Sequence, residues 1–256
     1  MKLLGVAELP VQSNEGAGKL ISDATQSFLM DWQCSDCIQT MVFDTTSSNT
    51  GHVTAACISI QEKLDRPLFW CACRHHIGEI LLSHLWEDLK LETSKGPKIS
   101  IFTRFQVNFK ILTSKDPSNY CFAPNSPENT NIIIMCQRVL SNQNMRGDYK
   151  ELAQLIIMYL DGGNTLFNIQ APGALHRARW MAKLIYSLKI ILLSSKIHQE
   201  LRRGAIFFRD QETMLKKFVK FIVYDYAPWW YTAIYPEDAA YNDLILWKKY
   251  ITILTL

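Results

Sequence analysis

At 256 residues, 48% hydrophobic and 20% charged, the chain has the composition of a folded protein with a sizeable core, which excludes wholesale disorder. A net charge of +3 permits a nucleic-acid partner without announcing one. No apolar stretch approaches the ~20 residues that span a bilayer, and seven cysteines scattered without a small-domain framework suit a reducing, intracellular setting with no membrane partner.

Leu20, Ile21, Ala24, Phe28 and Leu29 recur at helical spacing and predict a helix from Gly18 to Trp32. Met41-Val42-Phe43 reads as a strand that closes on Asp44 and a polar turn, Thr45 to Gly51. A second helix, N-capped by Asn49 or Thr50, runs to about Leu64 with Val53, Ala56, Cys57, Ile60 and Leu64 on one face, and Arg66-Pro67 stops it. The second strand spans Leu68 to Cys73. It leads into a helix from about His75 to Leu89, with Ile77, Ile80, Leu81, Leu85 and Trp86 turned inward. Helix, strand, helix, strand, helix implies a parallel pair with a right-handed crossover. Two strands do not complete a sheet of this kind, so others are missing or hidden downstream, and Val42, Phe43, Phe69 and Trp70 are left open to aggregation.

Ile99 to Ile101 reads as a short strand or connector and Phe102 to Leu112 as a helix. Ser114 to Asn129, with Pro117, Pro124 and Pro127, is a breaker-rich loop and an internal boundary. Helices follow at Thr130 to Asn142, Tyr149 to Leu160, Gly173 to Leu193, Gln211 to Tyr224 and Glu237 to Leu256, although Ile132-Ile133-Ile134-Met135 also fits a strand. Tyr250 to Leu256 is an apolar helix end without a cap or polar tail, so the chain reads as cut off there.

Asp44 lies at the carboxyl end of a strand, where α/β proteins build sites and where Mg²⁺ finds hard oxygen ligands; the plainer role is a turn or helix start. Cys71, Cys73, His75 and His76 crowd soft ligands together, and Cys34-x-x-Cys37 with Cys73 and His76 would complete a Cys₃His zinc set. The i, i+2 spacing of Cys71 and Cys73 among apolar neighbours equally suits core residues. Arg177, Arg179 and Trp180 begin a long helix with groups fit to pair with phosphate and to stack on an unpaired base, against an ordinary Trp in a core. Ala227-Pro228-Trp229-Trp230-Tyr231 is an aromatic knot, either a partner surface or packing at a helix junction. Neither a Walker A loop nor a nucleophile elbow is present.

Taken in order, strand-Asp44 with a Ser/Asn-rich turn, strand-Cys73-x-x-His76 opening a helix, and Arg179-Trp180 early in a later helix resemble the hobo/Activator (hAT) superfamily of DNA transposases and genes domesticated from them. The resemblance implies an α/β, predominantly helical chain: an incomplete RNase H-like parallel-strand core over residues 1–113, a loop at 114–129, a helical continuation over 130–193, and the start of a helical insertion domain over 194–256. In that family three acidic residues hold two divalent metals. Asp44 matches the second, Cys73 and His76 the Cys-x-x-His motif, and Arg179-Trp180 the pair whose Trp stacks near a flipped base.

The first acidic residue has no counterpart here, since Asp23, Asp31 and Asp36 lie on or beside a helix, and Glu200 and Glu237 have no motif to make either the third. The resemblance therefore implies a transposase-derived fragment without cleavage activity that retains nucleic-acid binding, in the nucleus rather than the cytoplasm. No cofactor is expected as the chain stands, Mg²⁺ or Mn²⁺ being the metals of a complete triad. The alternatives are a helical protein-interaction module and a zinc-stabilised module built on Cys34, Cys37, Cys73 and His76.

Overall fold

A computed structural model describes residues 5–9, 16–52, 55–91, 99–112, 120–173, 175–200, 209–233 and 236–255, without the side chains of 175–179, 200, 209, 210 and 236. The chain is predominantly helical with one small two-stranded parallel sheet. It divides into two compact units, residues 1–77 and 78–256.

The first unit holds α1 (Ala17–Asp31), a 3₁₀ turn (Ser35–Cys37), β1 (Thr40–Phe43), α2 (Ser47–Thr50), α3 (Ala56–Leu64) and β2 (Phe69–Ala72). β1 pairs with β2 in parallel, Thr40 opposite Phe69 and Phe43 opposite Ala72, as the helix and strand alternation requires. Side chains alternate across the sheet. Met41 turns to a small core of Ala56, Ile60 and Leu68 with Ile21, Ile38 and Leu64 packed on it, whereas Val42 and Phe69, one residue out of phase, are 79% and 68% exposed. Gln61 fixes the start of β2 to α3: its Oε1 accepts the Leu68 N–H at 2.8 Å and the Trp70 indole N–H at 3.0 Å. Asp23 on α1 and Lys63 on α3 form an ion pair, which occupies one of the spare carboxylates.

The helix expected from Asn49 or Thr50 to Leu64 is instead two helices, and neither residue caps it. Thr46 is the N-cap of α2, Gly51 ends it, and α3 starts afresh after Ala55. Asn49 is drawn back to Asp44, and Val53 lies outside the described residues. At its far end α3 closes on Asp65, in the left-handed conformation (φ 50°), before Arg66-Pro67.

The division at Ile77/Gly78 falls within α4 (Arg74–Asp88). The second unit continues with α5 (Ser100–Leu112), α6 (Pro127–Ser141), α7 (Gly147–Leu160), α8 (Leu175–Leu192), α9 (Ser194–Glu200), α10 (Arg209–Phe221), a π turn (Ile222–Tyr226), α11 (Ala227–Thr232) and α12 (Ala239–Thr255). Its core gathers Trp86, Phe102, Tyr186 and Phe218, with ring centroids 5.1–5.6 Å apart along that chain of contacts.

Ile99 opens α5 and is not a strand, and Ile132 to Met135 is helical. α6 begins at Pro127, three residues before the expected start. Ser126 Oγ accepts the Glu128 N–H, and a proline in the first turn loses no bond, so Pro127 starts the helix and breaks nothing. Residues 113–119 of the expected loop lie outside the described residues. On α4, Ile80 is exposed while Gly78 and Leu82 are buried, because the close neighbour of that helix is Trp229: a Cβ on Gly78 would come within 2.5 Å of the Trp229 Cζ3 atom.

The helix expected to end at Tyr224 runs on. Pro228 has no N–H to give, and the turn before it widens so that the Ala227 N–H bonds Ile222 O, five residues back. This continuation carries Trp229, Trp230 and Tyr231 inward, at 5–7% exposure, so the aromatic knot is core and not a partner surface.

Candidate functional site

The two strands deliver their chemistry at one end of the sheet. The Cys73 N–H donates to Phe43 O at 2.8 Å, one step beyond the ladder, so Asp44 leaves β1 where Cys73 leads into Arg74-His75-His76 at the start of α4. Asp44 Oδ1 accepts three bonds: from the Thr46 hydroxyl at 2.6 Å, the Thr46 N–H at 3.1 Å and the Asn49 amide at 2.8 Å. The bonds from Thr46, then that from Asn49, hold the carboxyl below the usual carboxylate range against a small opposing cost of burial, and the neighbouring His76 acts in the same direction. Asp44 is therefore an anion at neutral pH, fixed in an Asx-type turn that opens α2.

The ligand chemistry around it is sparse. A pair of divalent metals needs several carboxylates, and among the described residues no three His, Cys, Asp or Glu side chains come together as a metal-holding group. Asp44 alone does not fit a two-metal centre. Cys34, Cys37, Cys73 and His76, all described, do not converge either. The Cys34 thiol donates to Leu29 O at the end of α1 (3.7 Å), Cys37 is exposed on the 3₁₀ turn, and Cys71 and Cys73 are half-buried along and after β2. Burial, and then the Arg74 charge, hold the His75 imidazole below its usual range, which leaves it neutral.

In the second unit, Trp180 lies in the second turn of α8, half-buried against the core. Lys183, one turn on, lies over it with Nζ 3.8 Å from the Trp180 ring centroid and 5.4 Å from that of Trp86. Burial pulls the Lys183 ammonium below the ordinary lysine range, with Glu87 opposing. The side chains of Arg177 and Arg179 lie outside the described residues, so only their place on α8 is fixed.

The approach to α8 is tied down from within the helix. The Tyr186 hydroxyl donates to Gly173 O at 2.5 Å. Lys189 Nζ donates to Gln170 O at 2.8 Å and pairs with Glu151 on α7 at 2.6 Å. Lys189, the charge that interrupts the apolar run, is thus a buried clamp and not a solvent-facing residue.

Lys183 was not among the sequence candidates. Its signal was present: a lysine three residues after a tryptophan on a helix stands over the ring. Thr46 was likewise passed over, although an Asp two residues before a Thr is the pattern of an Asx turn. A cavity of about 410 Å³ between the ends of α4 and α12 and the start of α10 is lined by Asp88, Lys90, Gln211, Lys217 and Ile253 among others, and none of the candidate residues reaches it. No described helix is long and apolar enough to cross a membrane. Compared with known proteins, the chain matches no family model, no curated protein and no solved structure.

Proposed function

We propose that this chain is a transposase-derived, RNase H-like protein that binds nucleic acid and does not by itself cleave it. The observation that carries the reading is the parallel join of β1 and β2, with Asp44 and the Cys73-x-x-His76 segment leaving the same carboxyl end. The order of these motifs along the chain supports descent from a hobo/Activator-type catalytic core. Trp180 supports the binding half: the part of its ring that Lys183 and the core leave open suits an unpaired base, and Arg177 and Arg179, its sequence neighbours, are of the type that pairs with phosphate. Metal-assisted strand cleavage draws on several carboxylates, and Asp44 contributes one. A nuclear location accompanies this reading.

The test is equilibrium binding of a DNA hairpin followed by fluorescence anisotropy, together with incubation in Mg²⁺ or Mn²⁺. Affinity is expected to fall with salt, as counterion release demands, and to fall again in Arg179→Ala and Trp180→Ala. Unchanged binding in both variants refutes the binding half. Cleavage of the hairpin that disappears on Asp44→Asn refutes the other.

A further inference from the structure

α12 carries an apolar stripe that the second unit leaves largely uncovered, Leu254 at its end also lining the cavity beside α10. Leu246 is buried in the core and Tyr250 and Ile253 pack against it, so that edge of the helix is spent. On a different face Leu244, Trp247, Ile251 and Leu254 are 51%, 45%, 60% and 44% exposed, and Tyr241 beside them 68%. Their spacing is three, four, three: the a and d positions of two successive heptads, the pattern that forms a seam between paired helices.

We propose that α12 is a homodimer seam, pairing in parallel with α12 of a second copy of this chain. Three observations select this occupant. The first is the a/d spacing, which is that of a seam between paired helices.

The second is charge. With Leu244 and Ile251 at a, Asp243 takes position g and Lys248 position e, and in a parallel pair g faces the e position five residues on in the other helix. Asp243 therefore meets Lys248 of the second copy, twice by symmetry. Asp243 is already positioned, because its Oδ1 accepts the Trp229 indole N–H at 2.7 Å. An antiparallel pair would instead set Lys248 close to its own copy. It would also bring the two helical units to the same side of the seam, where a parallel pair rotates them apart.

The third is area. At ~200 Å² for a large side chain, the five exposures leave on the order of 500 Å² per copy, so a pair buries about 1,000 Å², the lower limit of a specific interface. The dimer is accordingly a weak one that depends on concentration.

Sedimentation equilibrium on the whole chain, from ~1 to ~100 µM, tests this. The parent is expected to pass from monomer to dimer across that range. Leu244→Lys/Ile251→Lys is expected to stay monomeric with an unchanged far-ultraviolet dichroism spectrum, since both side chains are exposed. Lys248→Glu sets like charges at the g and e positions of a parallel pair and weakens the dimer several-fold, whereas in an antiparallel pair it exchanges one like-charge contact of residue 248 with its own copy for another and leaves the affinity about unchanged. A parent that is monomeric at the top of the range overturns the proposal and gives the stripe to a different partner. A lysine variant that still dimerises, or a Lys248→Glu variant that dimerises as well as the parent or better, overturns the seam or its direction respectively.

Discussion

Gly78→Ala sets two effects against each other. Alanine in a helix interior is favoured over glycine by about 0.5–1 kcal/mol, which alone would make the variant more stable. The added methyl, however, lands 2.5 and 2.6 Å from the Trp229 Cζ3 and Cη2 atoms, inside any real carbon contact. The indole has little room to retreat. Its N–H is committed to Asp243 at 2.7 Å, its ring lies 5.6 Å from Tyr226 and 6.4 Å from Trp230, and it is 5% exposed. Overpacking of a tight core costs about 1–3 kcal/mol, so at mid-range the steric term wins by about 1 kcal/mol, or roughly 2–4 °C in melting temperature for a unit of this size. Urea unfolding followed by tryptophan fluorescence measures the loss. In a Trp229→Leu background, where the ring is gone, the same substitution should be neutral or stabilising. Gly78→Ala that equals or exceeds the parent in stability refutes the reasoning, as does a loss of the same size in both backgrounds.

Three further outcomes follow from the same structure. Val42→Thr/Phe69→Lys removes the two most exposed apolar groups of the sheet and should lower light scattering on concentration without changing the cooperativity of unfolding; unchanged scattering shows that this face is not the source of association. Burial pushes the Cys136 thiol up to about 12, so in the native chain at neutral pH a thiol reagent read by peptide mass spectrometry should leave Cys136 unmodified while the exposed Cys37 reacts; early labelling of Cys136 contradicts its place in the core. Burial raises the Asp225 carboxyl above its ordinary value, Lys249 opposing, so the folded state holds more protons than the unfolded one, and stability falls as pH rises from near ~4 through the raised value. Asp225→Asn should therefore flatten that limb and match or exceed the parent at pH 7; a loss of stability at pH 7 means that the Lys249 pair outweighs burial.

The features legible in the sequence were those carried by long periodic runs. The parallel pairing of β1 and β2 followed from the alternation of elements, and the exposed faces of Val42 and Phe69 from having too few strands to cover them. Boundaries were lost where one side chain redirects the backbone. Ser126 turns Pro127 from a breaker into a first helical residue, and Pro228 converts a helix end into a π turn that continues it. On α4 the expected Leu81, Leu85 and Trp86 are buried and Ile80 is not, while Gly78, which carries no hydrophobic signal, makes the close approach to Trp229. At the candidate site, Asp44 and its turn were visible as an ordered motif, while the bonds from Thr46 and Asn49 that fix it depend on local geometry. Cys34, Cys37, Cys73 and His76 have permissible zinc spacing, but spacing along a chain does not bring ligands together in space.

The central claim is that Trp180 stacks on an unpaired base. The most direct measurement compares the affinity of the parent and of Trp180→Ala for a hairpin with one unpaired base and for a fully paired duplex of the same length, at one salt concentration. Stacking on one base is worth about 1–3 kcal/mol, so the parent should prefer the unpaired-base hairpin by roughly fivefold or more. Trp180→Ala should lose that preference and keep the salt-dependent remainder. Equal affinity of the parent for both DNAs, or a preference that survives in Trp180→Ala, contradicts the account.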